Sequence, residues 1–177
     1  IDFPSIKMRS TRADMRRFVN EQELGVQLPE RFSLAGNAQG KIDDITAKAT
    51  LTTSAGNIKL DGSFKNQNVM AFNATVEGRE IDLGSILQNP QLGKLSLDLK
   101  TSGSGSTIND LDAVIDASIN SFTYNGYEIN NLPINGSFKN GNGSVTSKYK
   151  DDNINLNLDS QIQLDSVATQ ANVQLDI

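Results

Sequence analysis

The chain has 177 residues, 37% of them hydrophobic, a formal net charge of −5, and neither Cys nor His. That excludes disulfides, thiolate nucleophiles, Ser-His-Asp or Cys-His arrangements, and any ordinary zinc site, since zinc seldom accepts carboxylates alone. All sixteen basic residues fall in 1–150, where sixteen of the twenty-one acidic residues balance them; the other five are Asp151, Asp152, Asp159, Asp165 and Asp176, a placement opposite to that of a nucleic-acid binder.

Residues 10–24 predict a helix. Ser10 or Thr11 caps its start, Met15, Phe18, Val19 and Gln22 fall near helical spacing, and Gly25 ends it. Its basic cluster (Lys7, Arg9, Arg12, Arg16, Arg17), diluted by Asp14, Glu21 and Glu23, reads as a solvated face. Leu28-Pro29 then turns the chain into an extended run.

From Phe32 onward the hydrophobic period is two. Ile45, Ala47, Ala49 and Leu51 alternate with Thr46, Lys48 and Thr50. A turn at 54–57 leads into Ile58, Leu60, Gly62 and Phe64, set against Lys59, Asp61 and Lys65, which is the pattern of a hairpin with one wet and one dry face. Another turn at 66–68 precedes Met70, Phe72, Ala74 and Val76. Leu83–Leu87 reads as a short helical or turn insertion, closed by Asn89-Pro90. Leu95, Leu97 and Leu99 resume the sheet, and Ala113, Ile115, Ala117 and Ile119 form the next dry row. Asn125-Gly126 is a type I′ hairpin signal, and 140–143 is a further turn. Strands over 145–149, 154–164 and 167–175 complete an antiparallel meander of about nine strands.

Asp61-Gly62-Ser63-Phe64-Lys65-Asn66 returns as Asn135-Gly136-Ser137-Phe138-Lys139-Asn140. Each copy follows an Ile-Asx-Asp-Ile/Leu element, at Ile42 and at Ile108. This predicts an internal repeat, about 41–106 and 107–177, within a β region at 32–177 that follows an N-terminal helix and connection at 1–31. The chain starts without Met or a signal-peptide pattern and stops inside a strand-like pattern, so the expectation is a slice of a longer array. No run of 18 apolar residues occurs, so no membrane span is expected within it.

No catalytic constellation emerges, and the chain is expected not to be an enzyme and to need no cofactor or metal. Asp110, Asp112 and Asp116 lack the glycine of a tight calcium loop and read as turn and strand-surface acids. Asp151-Asp152-Asn153 reads as a turn. Phe122, Tyr124 and Tyr127 read as cross-strand packing at a hairpin tip, with an exposed platform for sugar or lipid as the alternative. The dry rows remain. A helix over 10–24 spans about 22 Å, whereas about nine strands spread roughly 40 Å. One helix does not cover that width, so the sheet either folds over into a core or leaves an apolar surface of the kind that binds something.

The run Gly36-x3-Gly40-Lys-Ile-Asp-Asp-Ile, the segment Ser54-Ala-Gly-Asn-Ile-Lys-Leu-Asp-Gly62, Ile81-Asp-Leu-Gly-Ser-Ile-Leu87 and Phe122-Thr-Tyr-Asn-Gly-Tyr127 resemble the repeating segments of TamB/AsmA-like proteins, over about residues 32–165. The resemblance implies an all-β fold: a long, curved, mainly antiparallel sheet folded into a taco-like groove with an apolar interior. It implies a periplasmic location within a longer protein anchored in the inner membrane. It also implies a part in outer-membrane biogenesis, conducting phospholipid or shielding outer-membrane protein clients, with an outer-membrane barrel protein of the BamA/TamA type as partner of the full-length protein. No catalytic residue carries over, and no nucleic acid is expected as a partner. Expected groove-lining residues are Ile45, Leu51, Ile58, Leu60, Phe64, Phe72, Val76, Leu97, Leu99, Ile115, Ile119 and Phe138. The competing expectation is a β-sandwich binding or adhesion module that uses its loops for a surface partner or glycan.

Overall fold

The computed structural model describes residues 2–67 and 69–177; Asn68, part of the turn expected at 66–68, lies outside them. The chain forms a single eleven-stranded antiparallel sheet in strict sequence order. Its strands are β1 (Asp2–Thr11), β2 (Arg31–Lys41), β3 (Asp44–Thr53), β4 (Gly56–Asn66), β5 (Met70–Asp82), β6 (Leu92–Gly105), β7 (Asp112–Tyr124), β8 (Tyr127–Lys139), β9 (Asn142–Lys150), β10 (Asn155–Gln163) and β11 (Gln170–Asp176). Short turns make this order the cheapest one, because each strand pairs with the strand that has just preceded it. Two of the turns are of type I′. Asn125 and Gly126 have φ of 49° and 80°, and Asn140 and Gly141 have 48° and 71°, the left-handed pair whose twist matches the flanking strands.

The sheet is curved and open. β1 and β11 are its two edges, and there is no second sheet among the described residues. The accessible surface is 11546 Å², whereas a compact globule of 19.1 kDa exposes about 8,400 Å². The excess is what a sheet with both faces wet produces. The aligned double sheet of a sandwich is not what this chain builds.

The N-terminal expectation needs correction. Residues 2–11 are strand, not the approach to a helix, and Ile6 and Met8 stand opposite Gly36 and Leu34 of β2. The single helix expected over 10–24 is two four-residue turns, α1 (Arg12–Met15) and α2 (Glu21–Leu24). The caps are where the sequence put them: Thr11 accepts the Asp14 N–H, and Gly25 ends α2 at φ 65°. Glu21, at the start of the second turn, is tied from three sides. Its carboxylate meets the Arg12 guanidinium at 2.8 and 3.1 Å, pairs with Arg16 at 3.1 Å and accepts the Leu28 N–H at 2.7 Å. Those bonds lower the Glu21 pKa, chiefly through Arg12 and then Leu28, and raise that of Arg12. The helical insert does not roof the sheet, and Phe18, expected on its apolar face, is 86% exposed. A third short helix, α3 (Leu83–Leu87), forms at the place the sequence indicated, capped by Asp82. The Gln27 N–H donates to the Ile86 carbonyl at 2.7 Å, so the insert and α3 sit together at one end of the sheet.

Candidate functional site

Residues paired across an antiparallel ladder share a face, so the register places every side chain. One transverse row runs Ile45–Phe64–Phe72–Gly103–Ala113–Phe138–Gly143. Another runs Ala49–Leu60–Val76–Leu99–Ala117–Ile134, and a third Leu51–Ile58–Gly78–Leu97–Ile119–Leu132. Between the first two lies a row that includes Ala47, Gly62, Ala74, Thr101, Ile115 and Gly136. All twelve residues singled out from the sequence fall on this one face. The two Phe of the repeated Gly-Ser-Phe-Lys-Asn segment, Phe64 and Phe138, fall in the same row, four strands apart.

None of these positions holds Asp, Glu, Lys or Arg. The charges stand on the opposite face, where they form cross-strand pairs: Lys48 with Asp61 at 2.7 Å, Lys65 with Asp44 at 3.3 Å and Lys59 with Glu77 at 3.6 Å. Such exposed pairs contribute little to stability. Their effect is to keep the two faces unlike, because one slip of register would exchange them.

Burial along the face is uneven. Ala113, Leu132 and Phe138 are 7%, 8% and 9% exposed, whereas Ile58 and Leu60 are 37% and 40% exposed. Over β7–β9 the face is packed on itself: the Phe138 ring lies against Gly143, and the side chains of Ile115 and Val145 close over Gly136. Over β3–β5 it is more open to solvent. The half-buried and exposed members are therefore the ones available for contact, and Phe138 is mainly internal packing.

Sequence reading missed several members of the same face: Leu34 and Ala38 on β2, Leu132 and Ile134 on β8, and Phe122 and Ile129. For the members on β7 and β8 the reason is specific. Gly78 to Ile81, Ile119 to Phe122 and Ile129 to Leu132 are three-residue steps, which break a period of two. The ladder absorbs each step with an irregularity. Register shifts lie between Gly78 and Ile81 and between Ser96 and Leu97, and Glu80 and Asn131 take φ of 54° and 56°. Bulges of this kind return the following side chains to the original face.

The acidic residues weighed as chemistry serve turns. Asp110 accepts the N–H groups of Ser106 and Thr107, and Asp112 accepts that of Asn140. Asp151 accepts the N–H groups of Asn153 and Ile154 on one oxygen and the hydroxyls of Tyr127 and Tyr149 on the other. The tyrosine hydroxyls, followed by the turn amides, hold Asp151 well below the ordinary carboxylate range, and Asp151 in turn raises both phenols. Tyr127 stands directly opposite Tyr124 in the β7–β8 hairpin, so the aromatic cluster at its tip joins that hairpin to the β9–β10 turn. No group of three or more potential metal ligands occurs among the described residues, nor does any helix there have the length and apolarity to cross a membrane. Compared with known proteins, the chain matches no family model, no curated protein and no solved structure.

Proposed function

We propose that this chain is a periplasmic segment of a TamB/AsmA-like envelope protein, and that its charge-free sheet face is the inner wall of a groove working by contact rather than catalysis. The observation that carries the reading is the complete separation of charge from one face of an open eleven-stranded sheet. A face of that width in contact with water is costly, at about 25 cal/mol per Å² of apolar surface. An apolar occupant relieves that cost.

Of the two occupants considered, phospholipid acyl chains and outer-membrane protein clients, the face favours acyl chains. Every interior strand spends its backbone groups on two neighbours. A polypeptide laid on the face would find no backbone partner there, and burying unpaired peptide groups costs roughly 2–7 kcal/mol each. A hydrocarbon chain has no such requirement. Protein clients would instead engage a strand edge. The adhesion-module reading has less support, because no second sheet packs on this one among the described residues.

The test is native extraction of the purified chain followed by lipid mass spectrometry. The expected result is co-purified phospholipid, displaced by an apolar fluorescent probe. Recovery of no lipid together with no probe binding sinks the groove reading. Probe binding with recovery of bound polypeptide instead would move the assignment to protein clients.

A further inference from the structure

Register shifts also lie between Phe3 and Ile6 on β1 and between Leu92 and Leu95 on β6, but the other irregularities share one transverse line across four consecutive strands: Arg79-Glu80 on β5, Ser96 on β6, Asn120 on β7 and Asn131 on β8. On one side of the line the matched row is Gly78–Leu97–Ile119–Leu132, and on the other it is Ile81–Leu95–Phe122–Ile129. β3 and β4 pair with each other, and β4 pairs with β5, without any shift of register.

Two non-glycine residues on the line, Glu80 and Asn131, occupy the left-handed region. Outside glycine such residues are uncommon, and they cost free energy unless the surroundings fix them. The fixing groups are present. The Ser96 side chain, 7% exposed as a residue, accepts the Glu80 N–H at 3.1 Å. Arg79 donates to the carbonyls of Gly78 and Leu97 at 2.9 and 2.8 Å and pairs with Asp98 at 2.7 Å. Asp98 also accepts the Asn120 amide at 2.7 Å, and Lys94 pairs with Glu80 at 2.7 Å. Arg79 thus bridges β5 to β6, and Asp98 carries the link to β7. The latch is polar, sits on three strands at one line, and replaces ladder bonds that the bulges remove.

We infer that this line is a flexion seam, latched by Arg79, about which the α3 end of β5–β8 moves as a unit relative to the rest of the sheet. Ladder pairing is interrupted there in adjacent strands, so bending at the seam breaks fewer ladder bonds than bending where the pairing is continuous; the Asp82 N–H to the Ala55 carbonyl at 2.9 Å and Tyr127 to Asp151 are ties that remain across it. The inference concerns the sheet itself and does not depend on what the groove holds. If the groove reading stands, the seam sets the width of one end of it.

The test is amide hydrogen exchange on the chain and on Arg79→Ala. In the unmodified chain, amides past the seam (81–82, 92–95 and 122–130) are expected to exchange together, at one common rate. Residues 52–53 and 57, at the same end of the sheet but on strands without bulges, serve as the control for ordinary fraying. In Arg79→Ala the segments past the seam are expected to speed up at least tenfold, while 45–51 and 134–138 keep their rates. Acceleration spread evenly over β3–β8 means that Arg79 only contributes to global stability, and overturns the seam. So does an unchanged pattern. If Arg79→Ala does not fold, Asn131→Gly gives the same discrimination in the other direction: relief of the left-handed cost is expected to slow exchange past the seam and nowhere else, and unaltered rates there count against the inference.

Discussion

The ring of Phe138 closes over Gly143, its direct cross-strand partner: a Cβ built on Gly143 would sit 2.6 Å from the Phe138 Cδ1 and 2.2 Å from the Ser137 carbonyl oxygen. Phe72 does the same to Gly103, where a Cβ would meet the Phe72 Cζ at 2.8 Å. In both cases a glycine gives up its own packing so that a large ring can close the space. Gly143→Ala and Gly103→Ala are therefore expected to destabilise the sheet by about 1–3 kcal/mol through overpacking. Phe138→Ala, which empties a site only 9% exposed, is expected to cost about 3–5 kcal/mol. Urea unfolding followed by far-UV circular dichroism checks all three, and a Gly143→Ala variant as stable as the parent would show that the ring has room to move.

The open part of the same face behaves differently. Leu60 is 40% exposed, and replacing it by Ala is expected to cost no more than about 1 kcal/mol, since little apolar area is withdrawn from water. Leu60→Asp should fold as well, yet place a charge among Ala49, Val76 and their neighbours. If this face holds apolar ligands, Leu60→Asp loses affinity for a hydrophobic probe at least tenfold while its circular dichroism spectrum stays unchanged. The same substitution on the other face, Thr50→Asp, leaves probe affinity as it was.

The two type I′ turns differ in how much space they leave. Nothing lies within 4 Å of a Cβ on Gly126, whereas one on Gly141 would be 2.3 Å from the Asn109 carbonyl oxygen. Gly126→Ala is expected to cost about 1–2 kcal/mol, the price of a left-handed L-residue. Gly141→Ala adds a backbone collision to that cost and is expected to lower the unfolding midpoint by clearly more. Equal midpoints for the two variants would show that the β8–β9 turn shifts without penalty.

Stability should be flat near neutrality, because the chain has no His and no other side chain ordinarily titrates between pH 5 and 8. Asp151, Asp98, Asp82, Asp110 and Asp165 all have pKa values below their ordinary value of 3.8. A carboxylate with a depressed folded pKa adds stability that is in place above 3.8 and disappears as the pH falls through the folded value. Tyr127 and Tyr149 are shifted above their ordinary value of 10.0, so their contribution holds below that value and fades as the pH climbs through the folded one. Urea midpoints are expected to agree at pH 5, 7 and 8 and to drop on the acid side of pH 4. In Asp151→Asn the acid-side drop is shallower. An identical acid profile in that variant would remove Asp151 from the account.

The sequence by itself determined the strands of β3–β11, their turns, and the shared face of the residues between the bulges, because period-two alternation and Asn-Gly chemistry act over a few residues; it read β2 only as an extended run. It placed the insertion at 83–87, which the structure resolves as the helix α3, and it determined the separation of charged from apolar rows for the same reason. It did not reveal β1. Ile6, Lys7, Met8 and Arg9 alternate, but the run is short, and only pairing with β2 makes it a strand. Nor did it show that the helical signal over 10–24 is split, since that depends on Glu21 reaching back to Arg12 across nine positions. The tertiary structure alone decided two further things. One is the line of bulges, which keeps Phe122 and Ile129 with the other apolar residues although their spacing reads out of phase. The other is that the sheet stays open: alternation states that a face is apolar, and whether anything covers that face depends on the curvature and closure of the sheet, which no local pattern encodes.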